Sequence, residues 1–400
     1  MKKLSLIFLI LEFFSFTSHA HAHAQDYIAK YFPNQKLYSQ LEKKWLNVGE
    51  QGFSKSIVSH TTLAIAPNGT LYMGYIEREY PHGGKLTVKS FNGSEWVNVG
   101  KQGFSDNMVS DITLTVASNN IPYVGYYDMG KRATVKSFNE SDWVDVGNPG
   151  FSRSLIYFTT LVIASDGTPY IGYQDIANQG KATVMYYNKE EKKWLSVGKP
   201  GFSDGEVRFA SLAIASDDTL YMGYKDSVNG GKATVMYYNK EERKWQSVGE
   251  KGFSDGEATF ARLAIASDGT LYMGYRDSAN RDRATVMYYN KEERKWQSVG
   301  DPGFSELEAN YLTLAVAPNG TPYVGYTDYA HGSKATVKSF NGNEWVDVGD
   351  PGFSAGMAFY PTLAIAYNNI PYMGYVDVAT NHKTTVMRFR ALSKWILPPN

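Results

Sequence analysis

Apolar residues recur along the chain in units of about fifty positions, and each unit carries the same succession of patterns. In one unit, the segment Leu263-Ala264-Ile265-Ala266 is apolar at every position, which is typical of a strand covered on both faces. The segment Trp296-Gln297-Ser298-Val299 mixes polar and apolar side chains, as expected of an outer strand. These patterns predict no helix and four strands in this unit: Arg262 to Ala266, Thr270 to Arg276, Ala284 to Tyr289 and Lys295 to Val299.

Two short motifs and a turn mark every copy of the unit. Each copy contains Trp-x-x-Val-Gly, followed by Gly-Phe-Ser. The Trp residues recur every 47 to 51 positions, at Trp45, Trp96, Trp143, Trp194, Trp245, Trp296 and Trp345. The apolar segment then ends at a turn such as Asn68-Gly69 or Asp268-Gly269, whose residue types tolerate positive φ in tight hairpins. The motifs therefore predict seven units of antiparallel strands.

Four-stranded units at this period predict an all-β, seven-bladed β-propeller, because a ring of small sheets buries faces that one sheet alone leaves exposed. A solenoid is the competing architecture, but it needs atypical terminal caps, and the first and last copies have ordinary inner strands. The chain begins with a lone outer strand, Lys44 to Val48, which we expect to complete blade seven and close the ring. Trp395 offers an alternative outer strand, but it runs into Pro398 and Pro399, which cannot donate to a strand ladder.

The motifs of one copy carry a resemblance to known proteins. Thr168-Pro169-Tyr170, Gly172-Tyr173-Gln174-Asp175 and Trp194-Leu195-Ser196-Val197-Gly198 resemble the repeat of bacterial secreted repeat β-propellers. The resemblance spans about residues 40–397 and implies an architecture similar to WD40 and kelch propellers, although the Trp-Asp ending and the paired glycines of those two families are absent. It implies a fold and no particular activity.

Charge and the N-terminus restrict where the protein acts. Forty basic residues balance forty acidic ones, so no global field attracts the chain to nucleic acid or anionic lipid, and the absence of Cys excludes disulfides and thiol chemistry. Lys2-Lys3, an apolar run from Leu4 to Leu11 and Ala22-His23-Ala24 predict a signal peptide over residues 1–24. We therefore expect a secreted or periplasmic protein with no membrane span after cleavage, a lead segment over residues 25–43 and a single propeller over residues 44–397.

Every copy has an acidic residue at the end of its second predicted strand. These residues, here called the acidic ring, are Glu77, Asp128, Asp175, Asp226, Asp277, Asp328 and Asp377. In six copies a basic residue follows within six positions, as Lys232 follows Asp226, so we predict structural ion pairs that close the hairpins. Binding of calcium or a cationic ligand is the alternative. Seven equivalent carboxylates give no reason for the separated pKa values that general acid and base catalysis needs, so no catalytic residue is predicted.

The third position before the inner apolar segment differs between copies and is therefore free for function. It is occupied by His60, Asp111, Phe158, Phe209, Phe260, Tyr311 and Tyr360. We expect these side chains to lie near the axis on one face, as an aromatic arc interrupted by His60 and Asp111. Sugars or aromatic ligands could stack on the rings, with Arg208, Arg262 and nearby acids supplying polar contacts. The alternative is that the rings only fill the hub.

Blades three to five are nearly copies of one another, as Ala233 to Tyr238 and Ala284 to Tyr289 show. A unique catalytic centre gains little from such duplication, whereas repeated weak sites gain through effective concentration. The leading hypothesis is therefore a secreted, non-enzymatic, multivalent binding module for glycans or a surface protein, with no cofactor or metal. A hydrolase or lyase acting on polysaccharide in an axial cleft and a structural envelope scaffold are the alternatives.

Overall fold

A computed structural model describes residues 38–79, 83–130 and 132–396. The chain divides into two compact units, Asn47–Arg388 and a smaller one formed by Met1–Leu46 with Phe389–Asn400. The sheets are four-stranded and antiparallel, and they confirm the predicted all-β, seven-bladed β-propeller. The predicted signal peptide and the lead segment as far as residue 37 lie outside the described residues. Within the described part, no helix is long and apolar enough to cross a membrane.

Each blade is built from an inner, a second, a third and an outer strand in that order, and blades are numbered here by their inner strands. The inner strands are β2 (Val58–Ile65), β6 (Val109–Val116), β10 (Ile156–Ile163), β14 (Val207–Ile214), β18 (Ala258–Ile265), β22 (Ala309–Val316) and β26 (Ala358–Ile365). The second strands are β3 (Leu71–Glu79), β7 (Pro122–Asp128), β11 (Pro169–Asp175), β15 (Leu220–Asp226), β19 (Leu271–Asp277), β23 (Pro322–Asp328) and β27 (Pro371–Asp377).

The remaining strands lie towards the rim of the propeller. The third strands are β4 (Gly83–Phe91), β8 (Arg132–Phe138), β12 (Lys181–Asn188), β16 (Lys232–Asn239), β20 (Arg283–Asn290), β24 (Lys334–Phe340) and β28 (Lys383–Ile396). The outer strands are β1 (Tyr38–Asn47), β5 (Trp96–Asn98), β9 (Trp143–Asp145), β13 (Lys193–Ser196), β17 (Lys244–Ser247), β21 (Lys295–Ser298) and β25 (Trp345–Asp347). Four single-turn 3₁₀ helices follow second strands, at Ile176–Asn178, Ser278–Asn280, Tyr329–His331 and Val378–Thr380.

The hydrophobic core lies between adjacent blades rather than within one sheet. One cluster joins Ala182 and Val184 of blade three to Leu212 and Met222 of blade four, and similar clusters recur around the ring. Glycine lets the blades approach this closely: a Cβ atom added at Gly223 would lie 3.0 Å from the sulfur of a Met in the next blade. The apolar inner segments are therefore covered on both faces, as their sequence predicted.

The repeated Trp residues hold neighbouring blades together at their outer edges. The indole nitrogen of Trp245 donates a 2.9 Å hydrogen bond to the carbonyl of Val197 in the preceding repeat. Phe202, from Gly-Phe-Ser, stacks on the same indole with ring centroids 4.2 Å apart. The hydrogen bond recurs at five further Trp residues, Trp96, Trp143, Trp194, Trp296 and Trp345. The Val of Trp-x-x-Val-Gly and the Phe of Gly-Phe-Ser in one repeat thus both contact the Trp of the next repeat.

The N-terminal part of the chain closes the ring, as predicted. The seventh sheet has the strand order β1-β28-β27-β26, so its outer strand comes from the start of the chain. Inside the larger unit, the Val48 amide donates to the Val386 carbonyl at 2.8 Å and the Phe53 amide donates to the Thr384 carbonyl at 3.0 Å. Trp395, the rejected alternative, lies in the continuation of β28 rather than in a separate outer strand.

Candidate functional site

Each inner strand contains a β-bulge close to its first residue. In blade four the pairing shifts between Arg208 and Ser211, so Phe209 and Ala210 together stand opposite one residue of the neighbouring strand. The first bulge residue has a φ of 50–54° in every blade. These residues are the predicted arc, namely His60, Asp111, Phe158, Phe209, Phe260, Tyr311 and Tyr360. The prediction placed them in a connection ahead of the strand, but the ladder begins earlier and includes them.

The left-handed conformation of these seven residues is unfavourable for any side chain larger than that of glycine. It costs roughly 1–2 kcal/mol per residue because Cβ crowds the backbone. Glycine would adopt the same φ without that penalty, yet none of the seven positions holds it. The surrounding structure must therefore hold these residues in this conformation, and such strain is common at ligand-binding sites.

The seven bulge residues form a collar around the axis of the propeller. Neighbouring ring centroids lie 5.0–5.2 Å apart from Phe158 through Phe209, Phe260 and Tyr311 to Tyr360. Their interplanar angles of 39–55° are close to the turn of about 51° that relates one blade to the next in a seven-bladed ring. Successive rings are therefore held in equivalent orientations, with their planes nearly parallel to the axis.

Two polar residues interrupt the aromatic part of the collar. His60 stacks on Tyr360 at 4.6 Å between ring centroids, and its buried Nδ1 atom has no hydrogen-bond partner. Burial, together with the positive charge of Arg78, lowers the pKa of His60, so its imidazole is neutral at pH 7. Asp111 accepts a 3.2 Å hydrogen bond from the Phe158 amide. Burial raises the pKa of Asp111 to about 6 against the opposing effect of that hydrogen bond.

The collar surrounds one end of an axial cavity of about 270 Å³. Five ring-bearing collar residues line it together with Asp111 and Arg262, whereas Phe209 belongs to the collar without lining the cavity. Of the described residues that line this cavity, Asp111 is the one carboxylate. The cavity is thus aromatic at the collar, with a single acid and a single arginine.

Three of the predicted polar partners, Arg208 and the nearby acids Glu206 and Glu257, do not line this cavity. Arg208 is exposed and pairs with Glu206, its Nε atom 3.0 Å from the carboxylate. Glu257 pairs with Lys225, with 2.5 Å between nitrogen and oxygen, and this contact lowers the pKa of the carboxyl. Both acids are already neutralised by a neighbour from the chain. Arg262 is therefore the one predicted orienting residue that the structure brings into the cavity.

Carboxylates of the acidic ring accept hydrogen bonds from their own blades, and several of the donors differ from those predicted. Asp226 is 1% exposed and accepts hydrogen bonds from the Thr234 hydroxyl at 2.9 Å and from the Asn229 amide at 2.8 Å. The Thr234 hydroxyl in turn accepts from the Gly252 amide. The same relay joins Asp175 to Thr183, Asp277 to Thr285 and Asp328 to Thr336. In these four blades a Thr of the third strand binds the carboxylate, and Asp328 also contacts His331, with 2.9 Å between nitrogen and oxygen.

Burial explains the difference from the predicted ion pairs. A carboxylate removed from water needs several hydrogen-bond donors, and short Thr and Asn side chains supply them while lysine stays hydrated. Four ring acids also cap the 3₁₀ helices, each by accepting a hydrogen bond from the backbone amide two residues further along the chain. These short helices were not predicted.

The described residues contain no group of three His, Cys, Asp or Glu side chains that could hold a metal ion.

One feature of the cavity was missed in the sequence. The second residue after each collar residue also lines the cavity, and this set is Thr62, Thr113, Thr160, Ser211, Arg262, Thr313 and Thr362. Six of the seven carry a hydroxyl, and this second circle is called the hydroxyl ring below. Aligning the copies reveals the pattern, but a single Thr or Ser in an inner strand carries no signal of its own.

Comparison with known proteins supports the fold alone. No known family matches the chain, and no curated protein does. A fungal alcohol oxidase solved in complex with copper superposes with a TM-score of 0.59 at 10% identity, covering 88% of this chain and 76% of its own. A protein of unknown function from Dyadobacter fermentans superposes with a TM-score of 0.50 at 9% identity, covering 88% of this chain and 99% of its own. At such low identity the shared property is the β-propeller architecture.

Proposed function

We propose that this protein is an exported, non-enzymatic binding module whose axial cavity takes one end of a glycan. The collar carries this proposal, because it keeps seven bulky or polar side chains in a conformation that only glycine adopts freely. A bulge re-aims the side chain it carries. Because every inner strand has this bulge, the seven side chains lie together around the axis of the propeller.

The chemistry of the cavity supports a sugar. Upright aromatic rings present apolar surfaces that stack against the C–H faces of pyranoses, as tyrosine and phenylalanine do in many binding sites. The hydroxyl ring lies just beyond the collar and supplies donors and acceptors for sugar hydroxyls. A volume of about 270 Å³ suits one saccharide unit rather than a chain of them.

The number and kind of acids favour binding over hydrolysis. Glycoside hydrolysis ordinarily uses two carboxyl groups that flank the scissile bond. Among the described cavity residues Asp111 is the only one, and its neighbour His60 is held neutral by burial. The polysaccharide hydrolase that the sequence left open therefore lacks its second acid in this cavity.

A matched pair of variants tests the proposal. Phe260 and Phe209 occupy equivalent positions in nearly identical blades, but only Phe260 lines the cavity. With a glycan identified on an array of the mature protein, calorimetry should give one site per chain. Phe260→Ala should weaken binding at least tenfold, and Phe209→Ala should weaken it less than threefold. Equal losses in the two variants, or binding that survives both, would contradict an axial site.

Repeated binding away from the axis is the second candidate. Blades three and four each carry a pair of half-buried tyrosines, Tyr170 with Tyr186 at 5.8 Å and Tyr221 with Tyr237 at 6.3 Å between centroids. Such repeated pairs are suited to a multivalent contact with a glycan-bearing surface. A stoichiometry of two or more ligands per chain, unaffected by Phe260→Ala, would favour this candidate over the axial site.

A further inference from the structure

One position of the hydroxyl ring carries a charged side chain instead of a hydroxyl. Six blades place Thr or Ser at this position, but blade five places Arg262 there, in a segment otherwise close to that of blade four. Because the other blades show what the scaffold needs at this position, the exception can be compared directly with them.

Three hydroxyls of the ring, those of Thr160, Ser211 and Thr362, bind the next blade. The amides of Leu63, Leu212 and Leu263 each donate to a ring hydroxyl of the preceding blade, at 3.1–3.2 Å. A guanidinium has five donors and no acceptor, so Arg262 cannot make the same bond to blade six. Arginine at this position thus gives up a contact between blades that a hydroxyl provides.

The charge of Arg262 has no carboxylate partner in the described residues. Its Nη1 atom donates a 3.0 Å hydrogen bond to the carbonyl of Ala261, its own neighbour in the chain. Burial lowers the pKa of Arg262, and no nearby acid opposes that effect. Asp111, the acid of the cavity, belongs to blade two and so lies three blades away around a ring of seven.

Arg262 is half-buried in the cavity wall, and a guanidinium that is partly removed from water favours an anionic partner. Its planar fork of donors matches the two oxygens of a carboxylate. The same cavity offers aromatic rings at the collar and six hydroxyls around Arg262, which suit a sugar. One small cavity thus contains the aromatic rings and hydroxyls that would bind a neutral sugar and the guanidinium that would bind an anion.

We propose that Arg262 binds the carboxylate of an acidic sugar, so that the ligand of the axial cavity is a uronic or similar acid rather than a neutral glycan. This inference rests on the proposed glycan site and names its ligand class. Arg262 forms a bidentate contact with the carboxylate, the collar rings stack on the pyranose, and Asp111 accepts hydrogen bonds from hydroxyls on the opposite side.

Glucuronate and glucose are the probes that test the charge, because they differ in one carboxylate. Calorimetry should show that glucuronate binds wild-type protein at least tenfold more tightly than glucose, with one site per chain. Arg262→Thr, which restores a hydroxyl as in the other blades, should reduce glucuronate affinity at least tenfold and glucose affinity by a much smaller factor. Arg262→Lys keeps the charge without the planar fork and should fall between the two. Arg208→Thr, at an exposed arginine outside the cavity, is the matched control and should change neither.

Side-chain resonances give a readout that does not depend on the sugar. In protein labelled with ¹⁵N-arginine, the Nε–H signal that disappears in Arg262→Thr should shift saturably with glucuronate and with acetate. The Arg208 signal should stay in place. A glucuronate affinity that is unchanged in Arg262→Thr, or an Arg262 signal that no anion shifts, would overturn the inference.

The outcomes separate this inference from the proposed function. If glucose and glucuronate bind equally and Phe260→Ala weakens both, the axial glycan site stands and the anion inference is wrong. If acetate shifts Arg262 as strongly as glucuronate and Phe260→Ala has no effect, an anion site stands and the glycan site is wrong. Tighter binding of glucose 6-sulfate than of glucuronate would overturn the assignment of a carboxylate.

Discussion

The charge of Asp111 should make the propeller less stable as the pH rises from 4 to 7. Burial raises the pKa of this carboxyl from 3.8 to about 6. Between these values the folded state holds a proton that the unfolded state has lost. The stabilisation is therefore fully present below about pH 4 and is lost as the pH rises through about 6.

Asp111→Asn removes the ionisation and keeps the oxygen that accepts from the Phe158 amide. A shift of about two pKa units corresponds to about 3 kcal/mol at most, because each unit is worth about 1.4 kcal/mol. Partial exposure reduces this, so we expect Asp111→Asn to raise the free energy of unfolding by about 1–3 kcal/mol at pH 7. At pH 4 the difference between variant and wild type should shrink towards zero.

Urea unfolding followed by tryptophan fluorescence at pH 4, 5, 6 and 7 measures this difference directly, since the repeat Trp residues are buried. Asp217→Asn is a useful control, because hydrogen bonds from Thr219 lower the pKa of Asp217. Because Asp217 is ionised in both states above about pH 4, the difference between this variant and wild type should stay nearly constant from pH 4 to 7. A difference between Asp111→Asn and wild type that is constant from pH 4 to 7, or that falls, would refute the reasoning.

Two further changes test how the blades are held. Thr234→Val removes the hydroxyl between Asp226 and the Gly252 amide, leaving a buried acid short of a donor, and should lower the free energy of unfolding by about 2–4 kcal/mol in the same urea assay. Thr219→Val, at a half-buried turn residue that binds the exposed Asp217, should lower it by about 1 kcal/mol or less, and equal losses would contradict a structural acidic ring. Gly223→Ala would place a methyl group 3.0 Å from the Met273 sulfur and should destabilise by about 1–3 kcal/mol, whereas an unchanged urea midpoint would show that the blades can separate at little cost.

Sequence patterns predicted the blades because the repeat is local and its signals are strong. Apolar inner segments, Trp-x-x-Val-Gly and a turn that begins with Asn or Asp recur seven times, and the lone N-terminal outer strand predicted the closure of the ring. At Asp226 the carboxylate has other partners than the predicted lysine, for a physical reason. Lys232 does pair with Asp226 in the strand register, but register fixes the backbone, and a buried carboxylate selects donors that lose little hydration.

The collar shows a different limit of sequence comparison. Glycine is the usual sequence signal of a bulge whose first residue has a positive φ. Here Phe, Tyr, His and Asp occupy that position, so the residue types did not predict the backbone strain. The repeats compensate for this once the backbone is known, because they show which residue each position of the scaffold requires. A hydroxyl occurs at six positions of the ring and an arginine at the seventh. That arginine has no carboxylate partner among the described residues, and the proposed acidic sugar depends on this one departure from the repeat.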